Sequence, residues 1–132
     1  MAAFSKRITL LQVDDDLLFN AVCSQHFQRS EFIQLIQVTS IEAAELRLKQ
    51  TPEIDVLMLD LSLPGRDGVE FLETLADINF TGRLVIISSQ SSHVIKMAGT
   101  IATVKGLNLV ARVEKPLTPE KLASLDAAIS QD

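Results

Sequence analysis

The stretch Asp55-Val56-Leu57-Met58-Leu59-Asp60-Leu61-Ser62-Leu63-Pro64-Gly65-Arg66-Asp67-Gly68 decides how the chain is read. It opens with a short apolar run, Val56 to Leu59, between Pro52 and Pro64. A run that short suits a strand buried on both faces better than a helix. It stops at a carboxylate, Asp60, and turn formers follow: Pro64, Gly65 and the Asp67-Gly68 pair. Asp60 is therefore expected at the carboxyl end of a central strand, at the mouth of a loop. Ligands bind at that edge of open α/β sheets. Taken alone, an aspartate before a loop is an ordinary turn cap. The flanking sequence has to choose between the two.

On both sides of this stretch the chain alternates between two periods. Ile8 to Val13 reads as a strand that runs into Asp14-Asp15-Asp16. Leu17 to Gln28 reads as a helix, with Leu18, Ala21, Val22 and Phe27 able to line one face. Ile33 to Val38 is a second strand. Thr39-Ser40 offers a cap for a helix over Ile41 to Lys49. The third strand covers Ile54 to Leu59, and a helix with Val69, Leu72, Leu75 and Ala76 at helical spacing covers Val69 to Ile78. Leu84 to Ile87 is the fourth strand. Ser91 or Ser92 caps a helix to about Lys105, with Gly106 as its stop. Leu109 to Val113 is the fifth strand. Thr118 caps the last helix, with Pro119 at its first position. Five βα units predict an α/β fold: a doubly wound parallel sheet with helices on both faces and right-handed crossovers.

The chain has 132 residues, so one domain over 1–132 with a real core is expected. A net charge of −5 argues against a nucleic-acid surface and an anionic membrane surface. No apolar run approaches the ~18 residues of a membrane span, and the N-terminus lacks the apolar core of a signal peptide. The single cysteine, Cys23, has no internal disulfide partner. It reads as helix packing in a reducing cytoplasm. Trp and Tyr are absent, and no Gly-rich phosphate loop is visible, so a flavin or free-nucleotide site is not expected.

On that frame Asp14 and Asp15 follow the first strand, Asp60 the third, Ser88 the fourth and Lys115 the fifth. Four of five strand ends deliver a hydrophilic group to one edge. With strand order 2-1-3-4-5 the first and third strands are neighbours at the switch point, and Asp14, Asp15 and Asp60 meet in one acidic pocket. Three carboxylates there repel one another unless a cation is present. Hard oxygen ligands with waters meet the needs of Mg²⁺. The bland alternative for Asp14 to Asp16 is capping and charge-matching of the helix that follows. Both readings hold if Asp16 belongs to the helix and Asp14 and Asp15 to the pocket.

At this point the sequence resembles the receiver domain of two-component response regulators. The resemblance rests on Val13-Asp14-Asp15, Leu59-Asp60 with Leu63-Pro64-Gly65-Arg66-Asp67-Gly68, Ile87-Ser88-Ser89, and Glu114-Lys115-Pro116-Leu117. It covers nearly the whole chain and implies the flavodoxin-like receiver fold. It implies that Asp60 accepts a phosphoryl group from a sensor histidine kinase or a histidine phosphotransfer protein. It implies Mg²⁺ held directly by Asp15 and Asp60, with Asp14 assisting through water and the backbone carbonyl of Ser62 completing the protein ligands. Ser88 takes the switch position, and Lys115 the family's lysine, before a cis bond to Pro116.

The chemistry agrees with these roles. Phosphoryl transfer needs positioning and charge neutralisation more than covalent help. Lys115 would supply positive charge, and the Ser88 hydroxyl a donor that counts only once the phosphoryl group has arrived. Arg112 stands three before the lysine, where the family often carries an aromatic residue that rotates inward. An arginine cannot bury itself in that way. Ser62 and Gln90 hold the two positions at which the family tunes dephosphorylation. His26 and His93 read as ordinary helix residues.

Two further readings compete. One is a pseudo-receiver, a protein-interaction module without phosphorylation. The other is a small Mg²⁺-dependent phosphohydrolase with Asp60 as nucleophile, disfavoured because Ser62 stands where a second acid is usual. The signalling reading is not an enzyme in the turnover sense. Its output passes to a partner protein or an output domain through the face of the fourth helix, fifth strand and fifth helix, and that face also serves homodimers in the family. The stretches Val104 to Leu109 and Val113 to Leu117 are similar to receivers joined to EAL-type cyclic di-GMP phosphodiesterase domains, which would make these residues part of a longer regulator.

Overall fold

The computed structural model describes residues 7–51, 53–63 and 68–130. Pro52, the turn read over 64–67 and the first six residues lie outside them. Strands and helices alternate: β1 (Ile8–Val13), α1 (Leu17–Phe27), β2 (Ile33–Val38), α2 (Ile41–Gln50), β3 (Val56–Asp60), α3 (Gly68–Asp77), β4 (Arg83–Ser88), α4 (Ser92–Val104), β5 (Asn108–Glu114) and α5 (Pro119–Ser130). The five strands are parallel, in the order β2-β1-β3-β4-β5. This is the doubly wound sheet expected from the alternation.

The strand period sorts the core into two layers. Leu11, Val13, Leu57, Leu59, Leu84 and Ile86 pack toward α2, α3 and α4. Leu10, Val56, Met58, Val85, Ile87 and Val113 pack toward Cys23 and Phe27 of α1 and Leu125 and Ile129 of α5. β3 lies between β1 and β4 and is buried along its whole length, which is why its sequence is a continuous apolar run rather than an alternation. Capping follows the sequence: Ser40 accepts from the Ala43 N–H, Ser91 from Val94, and Thr118 from Lys121. Gly106, at φ 84°, makes the left-handed exit from α4. Between β4 and β5 the register slips by one residue. Leu84 pairs with Leu109, and Val85 with Ala111. This bulge lets Val110 and Ala111 both pack toward the α1/α5 layer.

Two expectations need correction. β3 runs from Val56 to Asp60 rather than from Ile54 to Leu59, with Asp60 at its carboxyl end as expected. Ser88 likewise ends β4. The larger error is the buried face of α1. Asn20, Cys23 and Phe27 face the sheet, while Leu17 and Leu18 are 73% and 77% exposed and Val22 is 45% exposed. The helix is apolar around most of its circumference, so periodicity could not choose its inner face.

Candidate functional site

Sheet register brings the polar residues together. Val13 pairs with Leu59, so Asp14, one residue further on, is level with Asp60. Asp60 pairs with Ile87 and Ser88 with Glu114, so Lys115 leaves β5 beside the end of β4. Its N–H donates to the Ser88 carbonyl at 2.9 Å. The Lys115–Pro116 peptide bond is cis.

One half of the site is ionic. Carboxylate oxygens of Asp14, Asp15 and Asp60 lie within 4.8 Å of one another. Asp14 and Asp60 are buried and Asp15 is exposed. The Lys115 ammonium reaches Asp14 at 2.9 Å, Asp60 at 3.6 Å and Asp16 at 3.7 Å. It also stands 4.3 Å from the centre of the Phe19 ring, within cation–π range. Asp16 caps α1 by accepting from the Phe19 N–H, and its own N–H donates to Asp14. Burial pushes the Asp14 carboxyl up from 3.8 to about 6. The Asp16 N–H and Lys115 oppose that rise, and the charge of Asp60 adds to it. Burial alone would lower the lysine. The hydrogen bond to Asp14, and the charges of Asp14, Asp60 and Asp16, outweigh it and hold Lys115 above the ordinary lysine range. The cluster is a set of hard oxygen donors with more negative charge than one ammonium can neutralise. That donor set fits Mg²⁺.

The other half is neutral. The Ser62 N–H donates to Asp60 Oδ1 at 2.9 Å. Ser62 Oγ and Ser88 Oγ are 3.0 Å apart, and the Gln90 N–H donates to Ser88 Oγ at 3.0 Å. Ser88 is fully buried, and Ser62 is half-buried.

Comparison with known proteins agrees with this edge. The response regulator receiver domain family matches residues 10–125. The chain belongs to that family. Over 130 residues it is 33% identical to protein-glutamate methylesterase/protein-glutamine glutaminase 1 of Cereibacter sphaeroides, covering 97% of this chain and 33% of that protein. Over 80 residues it is 28% identical to the nitrate/nitrite response regulator NarL of Escherichia coli, covering 61% of this chain and 37% of NarL. It thus spans about a third of the length of these curated relatives. Among solved structures, the CheX–CheY–BeF3–Mg²⁺ complex of Borrelia burgdorferi is similar with a TM-score of 0.77 and 23% identity, over 99% of this chain and 96% of that one. A CheY-like receiver domain protein of Methanospirillum hungatei gives 0.74 and 17%, over 91% and 90%. At these identities the structures speak for the fold.

Several features of the receiver escaped the sequence reading. A partly buried polar network underlies the Asp14 loop. Asn20 Nδ2 donates to the Asp14 carbonyl at 2.8 Å. Gln37 Nε2 donates to Gln12 Oε1 and to the Asn20 carbonyl, at 2.8 and 2.7 Å. A glutamine inside the apolar first strand was the available signal for it. Cys23 packs against this network, fully buried, with its thiol pushed up to about 11 by burial. Arg112 is exposed, and its side chain makes no hydrogen bond or ion pair among the described residues; its Cδ lies over Gly99 of α4, where an added Cβ would come within 2.8 Å. His26 lies in the last turn of α1, as expected, and its Nε2 also meets Asp126 of α5 at 2.9 Å. His93 is exposed on α4. No helix among the described residues is long and apolar enough to cross a membrane.

Proposed function

We propose that residues 1–132 act as one receiver unit, a phosphorylation-dependent switch in the cytoplasm, in which Asp60 accepts a phosphoryl group from a phosphohistidine. The donor is a sensor histidine kinase or a histidine phosphotransfer protein. The observation that carries the reading is the convergence of the carboxylates of Asp14, Asp15 and Asp60, with the single ammonium of Lys115 reaching Asp14 and Asp60. A structural ion pair needs one carboxylate. Three clustered carboxylates beside one ammonium leave negative charge that a divalent metal would neutralise, with Asp60 as the oxygen nucleophile for an incoming phosphoryl group.

In this reading an ionised Asp60 oxygen attacks phosphorus. The P–O bond forms as the P–N bond to the donor imidazole breaks, and the imidazole leaves with its electron pair. Lys115 stabilises the charge on the transferring group from its place beside Asp60. The Ser62 N–H holds Asp60 Oδ1 and so orients the carboxylate. Asp14, Asp15, Asp60 and the Ser62 backbone carbonyl would hold Mg²⁺, which supplies charge neutralisation to a phosphoryl oxygen. Ser88 donates to another phosphoryl oxygen after transfer. The change passes to an output domain or a partner protein.

Intact-mass measurement after incubation with Mg²⁺ and acetyl phosphate tests the reading. One labile phosphoryl adduct is expected, absent with chelator. No adduct, with Mg²⁺ binding established separately, would shift the account to a phosphorylation-independent interaction module.

A further inference from the structure

We propose that the Ser62 hydroxyl competes with the transferred phosphoryl group for the hydroxyl of Ser88, and thereby holds the domain in its unphosphorylated form. The inference rests on Asp60 as phosphoacceptor and concerns the regulation of that site.

A serine hydroxyl has one proton to donate and two lone pairs. The Gln90 N–H occupies one lone pair of Ser88 Oγ. The other partner of that oxygen among the described residues is Ser62 Oγ at 3.0 Å. Ser88 is 0% exposed, so solvent cannot take its proton. A buried donor left without an acceptor is costly, so at rest Ser88 donates to Ser62. Donation to a phosphoryl oxygen on Asp60 uses the same proton. Ser88 must therefore release Ser62 when the site is phosphorylated.

The two partners lose unequally in that exchange. Ser62 is half-buried and can pass its hydroxyl to water. Ser88 gains a bond to an anionic acceptor, stronger than the neutral bond it gives up. The Ser62 hydroxyl thus stabilises one state and not the other, which is what shifts a two-state equilibrium. Its backbone acts separately. The N–H bond to Asp60 Oδ1 and the carbonyl both survive in Ser62→Ala, which removes only the competitor.

The test uses BeF3⁻ with Mg²⁺, a tetrahedral mimic of a phosphoryl group on a carboxylate, titrated by calorimetry. The proteins are wild type, Ser62→Ala, Ser88→Ala and the double variant, with the Mg²⁺ affinity of each measured in parallel as its baseline. Ser62→Ala is expected to bind BeF3⁻ about tenfold more tightly, equivalent to about 1.4 kcal/mol. In the Ser88→Ala background the same substitution is expected to change affinity less than about twofold, because the coupling has lost its partner. Unchanged or weaker binding by Ser62→Ala overturns the inference, as does the same gain with Ser88 removed. Failure of the wild-type protein to bind BeF3⁻ overturns the Asp60 reading itself.

Discussion

Asp55 and Asp60 stand at the two ends of the same stretch, yet their surroundings differ in kind. Asp55, exposed just before β3, accepts the Thr9 N–H at 2.8 Å. Its own N–H and carbonyl bond to Thr9 and Arg83, both at 2.9 Å. The N–H, the carbonyl and one carboxylate oxygen of Asp55 each have a local partner, and the result ties three strands together at the amino edge. Asp60 is 3% exposed and shares its edge with Asp14 and Asp15, while one ammonium serves it, Asp14 and Asp16. Demand met locally builds structure. Demand that exceeds supply marks a place where something from outside belongs.

Substitutions can break that contrast. The largest effect is expected at Asp60. Asp60→Asn should abolish the phosphoryl adduct in the mass assay, whereas Asp55→Asn should leave it intact. Next comes Lys115. Its removal leaves Asp14 and Asp60 buried without a cation, and losing one partner of such a pair costs about 3 kcal/mol. Urea denaturation of Lys115→Ala in chelator should show that loss, and Mg²⁺ should recover much of it.

Asp14 sharpens the contrast through pH. Its carboxyl titrates at about 6 when folded, against 3.8 ordinarily. The folded protein binds that proton more tightly than the unfolded chain does. The stability this contributes is fully present below pH 3.8 and lost as pH rises through about 6. In chelator, the urea midpoint of wild type should fall across that window, and Asp14→Asn should flatten the fall. The smallest effect is at the other end of β3. Asp55→Ala removes the acceptor for the Thr9 N–H and should cost about 1 kcal/mol, with Mg²⁺ affinity unchanged.

The sheet was legible because its strands are short apolar runs that end in charge or turn formers. The acidic edge was legible because register follows from strand order, and each of Asp14, Asp60, Ser88 and Lys115 sits at a strand terminus. Two kinds of feature were not. α1 carries leucines, phenylalanines and a valine around its circumference, so no period marks Asn20, Cys23 and Phe27 as the inner face. Contacts that join distant residues through side-chain placement also leave no local trace. Ser62 and Ser88 are 26 residues apart, and His26 and Asp126 are 100 apart. Gln12 could have raised the question of a buried polar partner, which its Oε1 finds in Gln37.

The central claim is that the phosphoryl group goes to the aspartate at the carboxyl end of β3. Reduction with borohydride converts an aspartyl phosphate to homoserine, and peptide mass mapping then locates the residue. After treatment with Mg²⁺ and acetyl phosphate, the account predicts homoserine at position 60 and aspartate retained at 14, 15 and 55. Homoserine at 14 or 15, or unmodified aspartate at 60 in protein that carries the adduct, would contradict it.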